Sequence, residues 1–196
     1  MNLISIYRLL LGAGIIMFSF SLPRSAYCVT KEYINTTLAF VEPDEGLVKS
    51  VYSKNIIRTG LNLGYSLDEK FTNFKEFGFH LRRYDSKISS LKAICDLMGA
   101  RSAFVHYIPI ESSGLEFVVN AGLDLYYWQS RFNDDINSIK RVHELTFGYD
   151  YGFGMAIIVY GQTLLGSIQK EHIYRKFLGN YNLDGHLYQI AWQLLI

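Results

Sequence analysis

The sequence has few of the residues that mark several common classes of protein. Its 196 residues include only two cysteines, which excludes a disulfide-rich scaffold and a four-cysteine zinc module. Proline (3 residues) and glycine (16 residues) are together too few for a low-complexity or collagen-like chain. Charged residues make up 19% and nearly cancel, with a formal net charge of +1. This balance argues against nucleic acid as a partner, because such binding needs a concentrated basic surface.

Residues 1–28 are predicted to be a signal peptide. They contain two arginines and no acidic residue, and the apolar run between the arginines, residues 9–22, is shorter than the roughly 18 residues of a membrane-spanning helix. A positive start, a short apolar core and small residues at Ala26 and Cys28 are typical of a cleaved secretory signal. Cleavage after Cys28 would leave residues 29–196 as the mature domain. An uncleaved membrane anchor is the alternative.

After this segment, hydrophobic residues alternate with a period of two, which predicts β-strands. In residues 187–196, for example, Tyr188, Ile190 and Trp192 share one face, whereas Gln189 and Gln193 share the other. Eight strands are predicted in this way, at residues 31–41, 54–66, 73–84, 91–107, 115–128, 139–150, 154–164 and 185–196. The fourth is the weakest, because its charged residues do not share one face; a bulge would reconcile them, and a short helix at 88–98 is the alternative.

The two faces of these strands differ in a way that is unusual for a soluble sheet. One face is long, bulky and apolar and ends in aromatic residues, whereas the other mixes glycine with charged and amide residues. A narrow interior filled by small and polar side chains and an outer face in lipid would produce this pattern, which is typical of transmembrane β-barrels. The fold class predicted is therefore all-β, an eight-stranded antiparallel up-and-down transmembrane barrel behind a signal peptide.

The predicted connections alternate between long and short, as such barrels require. The longer and more polar ones are residues 42–53, 85–90, 129–138 and 165–184. The shorter ones are residues 67–72, 108–114 and 151–153, the last being a turn at Gly152-Phe153-Gly154.

The chain resembles the small eight-stranded outer-membrane barrels of Gram-negative bacteria: the transmembrane domain of outer membrane protein A, the opacity proteins and OmpX-like proteins. The resemblance is carried by Leu115–Tyr127, which is similar to a central strand of that family, and by Leu145–Gly154, which is similar to its sixth strand, turn and seventh strand. It implies a bacterial outer-membrane location and a non-enzymatic protein that displays surface loops in a structural, adhesive or antigenic role.

Two sets of side chains follow from this interpretation. The first set would fill the lumen as a polar network of paired charges, because an isolated buried charge is very costly: Arg58, Glu76, His80, Arg82, Glu116, Asp124, Glu144, Asp150, Gln189 and Gln193. The second set would face lipid and form the aromatic girdles: Tyr65, Tyr127, Tyr151, Tyr188 and Trp192.

The resemblance also implies the partners. These are outer-membrane lipid and lipopolysaccharide, the barrel-insertion machinery, and a host or surface ligand bound through loops 42–53, 129–138 and 165–184. No cofactor and no metal site are expected, since His143 and Glu144 are adjacent and so lie on opposite faces of a strand.

Two other functions stay open at this stage. A lipid A-modifying barrel enzyme would need a serine, a histidine and an acid at one membrane-facing edge; none of the histidines lies in the His-x-Ser-Asn motif of the deacylases, and Ser102 and His106 share a face but lie too far apart along the strand. A soluble secreted β-barrel or sandwich that binds an apolar ligand would turn its bulky face inward. The direction of the bulky side chains therefore decides between membrane and soluble forms.

Overall fold

The computed structural model describes residues 31–44, 56–85, 91–111, 113–134, 137–160, 162–174, 176–177 and 181–196. Only the backbone is described for residues 91–93, 130–134, 137–142, 176–177 and 181–182. The predicted signal peptide and its cleavage site lie outside the described residues.

Eight strands close into an antiparallel barrel in which each neighbours the next along the chain and the last pairs with the first. The barrel strands are β1 (Glu32–Pro43), β2 (Ile56–Ser66), β3 (Asn73–Asp85), β4 (Leu91–Ile110), β5 (Leu115–Asp134), β6 (Asn137–Val159), β7 (Gln162–Ile173) and β10 (Gly185–Leu195). Two short strands, β8 (Lys176–Phe177) and β9 (Tyr181–Asn182), form a separate hairpin before β10. The described residues contain no helix long and apolar enough to cross a membrane.

The predicted all-β, eight-stranded antiparallel barrel is confirmed, and its C-terminal strand closes it. β10 pairs with β1 from Tyr33 opposite Leu195 to Pro43 opposite Gly185. Closure matters because it pairs the first strand with the last, whose edges an open sheet would leave unpaired. The tight turns after β2, β4 and β6 lie at the end of the barrel where β1 begins and β10 ends, called here the terminal end. The opposite end is called the loop end.

The predicted turn at Gly152-Phe153-Gly154 is wrong. These residues lie within β6, which pairs with β7 from Gly148 opposite Ile173 to Val159 opposite Gln162. Gly152 leaves room for the neighbouring strand, because a Cβ at this position would lie 2.6 Å from Gln169 Cγ. The chain reverses instead around Tyr160, which has a positive φ of 52°.

Two of the predicted loops are shorter than expected. Residues 129–134 and 137–138 continue β5 and β6, and residues 165–173 belong to β7. Of the predicted loop 42–53, residues 42 and 43 end β1 and residues 45–53 lie outside the described residues. The alternative helix at 88–98 is wrong from residue 91 onward, where β4 begins, and the pairing of β4 with β3 and β5 is continuous, without a bulge.

The turn between β2 and β3 is held together by Asp68. Its carboxylate accepts hydrogen bonds from the Thr72 backbone N (2.9 Å) and Oγ1 (2.7 Å) and from the Asn73 backbone N (3.3 Å) and Nδ2 (2.5 Å). These donors stabilise the charged form, and the bond from the Thr72 side chain is the largest cause of a pKa for Asp68 well below its ordinary value.

We expect this turn to lose stability only in acid. Since the folded pKa of Asp68 is lowered, its contribution is complete above the unfolded-chain value of about 3.9 and is lost as the pH falls through the lower folded value. A carboxyl-carbon NMR titration should show Asp68 still ionised at pH 3. In Asp68→Asn the acid-dependent part of the turn's stability should vanish, and an Asp68 that titrates near its ordinary value would contradict this geometry.

Candidate functional site: a sealed polar lumen

Inward and outward side chains alternate along every barrel strand, and the interior is polar at mid-height. Three arginines and four carboxylates are buried there: Arg58, Arg82, Arg101, Glu76, Asp124, Asp150 and Glu171. Buried charges in such a space must pair, because the desolvation cost of each ion is several kcal/mol. They do so in two linked groups.

The group nearer the loop end centres on Glu171. Its carboxylate accepts hydrogen bonds from Arg82 Nη2 (2.8 Å), Arg58 Nη1 (3.2 Å) and the Tyr126 hydroxyl (2.6 Å). Arg58 also bonds His80 Nδ1 at 2.9 Å and lies 3.8 Å from Asp124. One glutamate on β7 therefore ties together side chains from β2, β3 and β5.

The group nearer the terminal end centres on Arg101. Its guanidinium makes a bidentate pair with Asp150, through Nε (2.8 Å) and Nη2 (2.5 Å). The Nη1 atom of Arg101 lies 3.6 Å from Glu76, which also accepts a hydrogen bond of 2.5 Å from the Tyr33 hydroxyl and a longer one from Asn35. This pair links β4 to β6 over Gly122 of the strand between them, β5.

Apolar side chains close the lumen above and below these charges. At the loop end the plug is a buried cluster of Ala39, Val41, Ile56, Tyr84, Cys95, Leu97, Tyr126, Trp128, Ile173, Leu183 and Leu187. At the terminal end it is a second buried cluster of Tyr33, Phe74, Val105, Tyr107, Val118, Ala156, Leu165 and Ala191. Because both ends are filled, the polar middle is sealed, as expected for eight strands, whose interior is just wide enough for side chains.

Inward glycines leave the space that the large polar side chains occupy. The His80 ring lies against Gly99, where a Cβ would come 2.0 Å from His80 Nε2, and the Arg101–Asp150 pair lies against Gly122, where a Cβ would come 2.9 Å from Arg101 Nε. The His80 ring cannot easily move, because it packs 5.3 Å from the Tyr126 ring and bonds Arg58.

Gly99→Ala is therefore expected to destabilise the barrel by about 1–3 kcal/mol through overpacking. The matched control is Gly166→Ala, because Gly166 faces outward and a Cβ there would meet no atom within 4 Å. The comparison is made by urea unfolding of the two folded variants. Equal stability of the two would show that the His80 ring does not occupy the space over Gly99.

The structure brings most of the predicted lumen residues together. Arg58, Glu76, His80, Arg82, Asp124 and Asp150 are buried in the two groups described above. Gln193 is buried and accepts a hydrogen bond from the Tyr107 hydroxyl (2.9 Å), and Gln189 is buried on the same strand. Glu116 is only half-buried, at the terminal end.

Glu144 was assigned to the lumen wrongly, because its side chain is exposed. The reason lies in the geometry of β6. This strand pairs with β7 only from Gly148 onward, so Glu144 lies beyond the closed part of the wall at the loop end.

Sequence reasoning missed Arg101 and Glu171, the residues on which the two groups of buried charges centre. Glu171 lay in a segment predicted to be a loop, and Arg101 in the strand with an unresolved alternation. The signal for Arg101 was present, since Arg101 and Asp96 differ by five positions and must therefore lie on opposite faces of an unbroken strand. Asp96 lies on the outer wall, where Arg83 Nε bonds it at 2.7 Å.

The predicted girdle residues lie on the outer wall, and one of them is covered. Tyr151, Tyr188 and Trp192 are exposed, the last with its indole N–H donating to Gln162 Oε1 (3.0 Å). Tyr65 is half-buried and stacks on Phe77 at 6.1 Å. Tyr127 is buried: it packs against Met98 and bonds His143, so its side chain does not form part of the exposed girdle.

Metal-binding, serine, histidine and cysteine side chains are the remaining candidates for chemistry. No group of three or more metal-binding side chains is found among them. The outward residues Ser102 and His106 make no hydrogen bond with each other, and His106 Nδ1 bonds the Asn73 side-chain oxygen at 2.8 Å. The one cysteine among the described residues, Cys95, is buried in the loop-end plug.

A closed eight-stranded barrel with a polar, filled interior and an apolar outer wall is the fold of the small outer-membrane proteins. Solved structures with this fold match most of the chain. Neisserial surface protein A matches with a TM-score of 0.53 and 12% identity, over 87% of this chain and 99% of that one.

Two further structures agree. The N-terminal β-barrel domain of Pseudomonas aeruginosa OprF matches with a TM-score of 0.51 and 14% identity, over 85% of this chain and 97% of that one. A major outer-membrane protein from Thermus thermophilus matches with a TM-score of 0.63 and 8% identity, over 86% and 100% of the two chains. At these identities the likeness shows the fold. No protein-family model matches the sequence, and no curated protein matches it.

Proposed function

We propose that this protein is a non-enzymatic barrel of the bacterial outer membrane that displays its loop-end segments at the cell surface. The observation that carries the proposal is the direction of the bulky side chains. Large apolar residues are exposed around the whole outer wall, among them Phe40, Leu61, Phe79, Phe104, Leu123, Phe147, Phe153, Leu164 and Ile190. Exposure of this much apolar surface is unfavourable in water but favourable in lipid.

The same observation argues against the soluble alternative. A soluble barrel or sandwich buries its bulky residues in the core, but here mid-height of the core holds arginines, carboxylates and amides. Among the described residues, both ends of the interior are occupied by buried apolar clusters, which argues against an apolar ligand at either of these places. No observation among the described residues favours a lipid-modifying enzyme.

The shape of the loop end supports display. β6 between Asn137 and Phe147 pairs with β5 but, among the described residues, with no strand on its other side. With about 3.3 Å per residue this segment extends roughly 35 Å along the strand. In outer-membrane barrels short turns face the periplasm and longer segments face outward, so the β5–β6 hairpin would project from the cell as the main surface for a host or surface ligand.

Fractionation of cells that express the protein tests the proposal. We expect the protein in the outer-membrane fraction, with faster gel mobility when unheated than when boiled, since a closed barrel resists the detergent. Lipopolysaccharide and the barrel-insertion machinery would be its partners there. Recovery as a soluble periplasmic protein without detergent would overturn the proposal, and an altered lipid A mass spectrum on deletion of the gene would overturn the non-enzymatic part.

A further inference from the structure

A groove of about 570 Å³ lies at the terminal end of the barrel wall, beside the turn between β2 and β3. Its outward-facing lining comes from Leu67, Asn73, Phe104, His106, Val119 and Ala121. The surface is therefore mostly apolar, with an amide and an imidazole at the edge nearer the turn.

The groove exists because one outward position on β5 is small. Ala121 lies between Phe104 on β4 and Tyr151 on β6 in the same row of the sheet. Two residues toward the terminal end, Val119 lies between His106 and Phe153. A short side chain flanked by aromatic rings makes an indentation in the wall that is the width of about one strand, which suits a single extended hydrocarbon chain.

A lysine lies beside this groove on the outer wall. Lys75 is opposite Phe104 in the pairing of β3 with β4, and its Nζ lies 3.9 Å from the Phe104 ring centroid and 5.6 Å from that of Phe77. Among the residues that the structure describes, no carboxylate lies within ion-pair distance of Lys75. An ammonium group held on ring faces in this way is positioned for an anion that comes from outside the protein.

Asp68, the carboxylate at the groove edge, does not pair with Lys75. Asp68 lines the groove edge, but its two oxygens already accept four hydrogen bonds from Thr72 and Asn73. The Asn73 side chain also bonds His106. The negative charge of Asp68 is thus held by the turn and is not paired with Lys75.

We propose that this groove binds one anionic phospholipid from the periplasmic leaflet. Its phosphate lies at Lys75 Nζ, and one acyl chain lies along Phe104, Ala121 and Val119. The assignment rests on the proposed function, which places the terminal end of the barrel at the periplasmic side. It goes beyond that function because it names one lipid class and one place on the wall.

The test uses the full mature barrel inserted into phosphatidylethanolamine vesicles that contain a minority of phosphatidylglycerol, then released into mild detergent for native mass spectrometry. We expect the wild-type protein to retain one phosphatidylglycerol. Lys75→Gln should lower the retained fraction about fivefold, the effect of one lysine at a membrane surface. Lys75→Arg should retain the lipid. Lys70→Gln, the same change in the exposed turn nearby, is the matched control.

A second variant tests the acyl-chain part. Ala121→Leu fills the floor of the groove without changing charge, and it should also lower retention. Equal retention by the Lys75→Gln and Lys70→Gln variants would overturn the proposal, and unchanged retention by Ala121→Leu would overturn the groove as the acyl site. Each variant is first checked for heat-modifiable mobility. If the wild-type protein fails to insert at all, the proposed function fails; if it inserts but retains no lipid, only the lipid site fails.

Discussion

Arg101→Met is expected to destabilise the barrel by about 3–5 kcal/mol, the cost of removing one partner from a buried ion pair. Arg101 is buried and holds Asp150 through two hydrogen bonds, and it lies 3.6 Å from Glu76. Methionine fills a similar volume, so the loss would come from the uncompensated carboxylates. Urea unfolding of the folded protein, followed by gel mobility or tryptophan fluorescence, measures the change in free energy.

A double variant separates charge from packing in this experiment. In Arg101→Met with Asp150→Leu, both members of the pair are replaced by apolar side chains, which is often close to neutral. We therefore expect the double variant to recover much of the stability lost by Arg101→Met alone. Glu76 keeps its hydrogen bond from Tyr33. If the double variant is as unstable as the single one, Arg101 acts through its shape rather than its charge.

The direction of the side chains could be predicted from the sequence wherever the two faces of a strand differ in chemistry. In β10, Trp192 and Ile190 are outward and Gln189 and Gln193 are inward, as their alternation indicates. A face in lipid consists almost only of apolar residues, so even in a short strand the sequence indicates which side chains point outward. The same rule assigns Arg58 and Arg82 to the interior.

The prediction of side-chain direction fails where the interior of the barrel changes from apolar to polar along a strand. Along β7 the inward residues run from Leu165 in the terminal-end plug through Ser167 and Gln169 to Glu171. Hydrophobic and polar residues therefore do not alternate regularly along β7, because the inward face is partly polar and the outward face includes Gly166 and Lys170. A strand that crosses from an apolar plug to a polar centre resembles a loop in its sequence, and for this reason Glu171 was missed.

Arg101 was missed for a different reason. Its strand also carries Asp96, on the opposite face, and the rule that charges face inward applies only within the height of the membrane. Asp96 lies at the loop end, where it pairs with Arg83 on the outer wall. The height of a residue along the barrel axis depends on the stagger between strands. This stagger is determined by the pairing of the whole sheet and cannot be obtained from one strand.

Leu123→Arg is expected to impair insertion and to cost about 2–4 kcal/mol, the penalty for arginine on the lipid face at the midplane. Leu123 is 69% exposed on the outer wall. It follows Gly122, which lies against the Arg101–Asp150 pair at the centre of the lumen, so it is at mid-height. Its neighbours in the sheet, Ser102 and Tyr149, provide no carboxylate for the new charge.

Leu67→Arg is the matched control, because Leu67 is also exposed but lies in the turn at the terminal end. The same substitution there should cost only about 0–1 kcal/mol, as at a membrane interface. The readout is the fraction of each variant that reaches heat-modifiable form in vesicles, together with its free energy of unfolding. Since both variants gain one arginine in place of an exposed leucine, a difference between them reports depth in the bilayer. Equal losses would mean that the outer wall at Leu123 meets water or protein, and that the band of large apolar residues around the barrel is not its membrane surface.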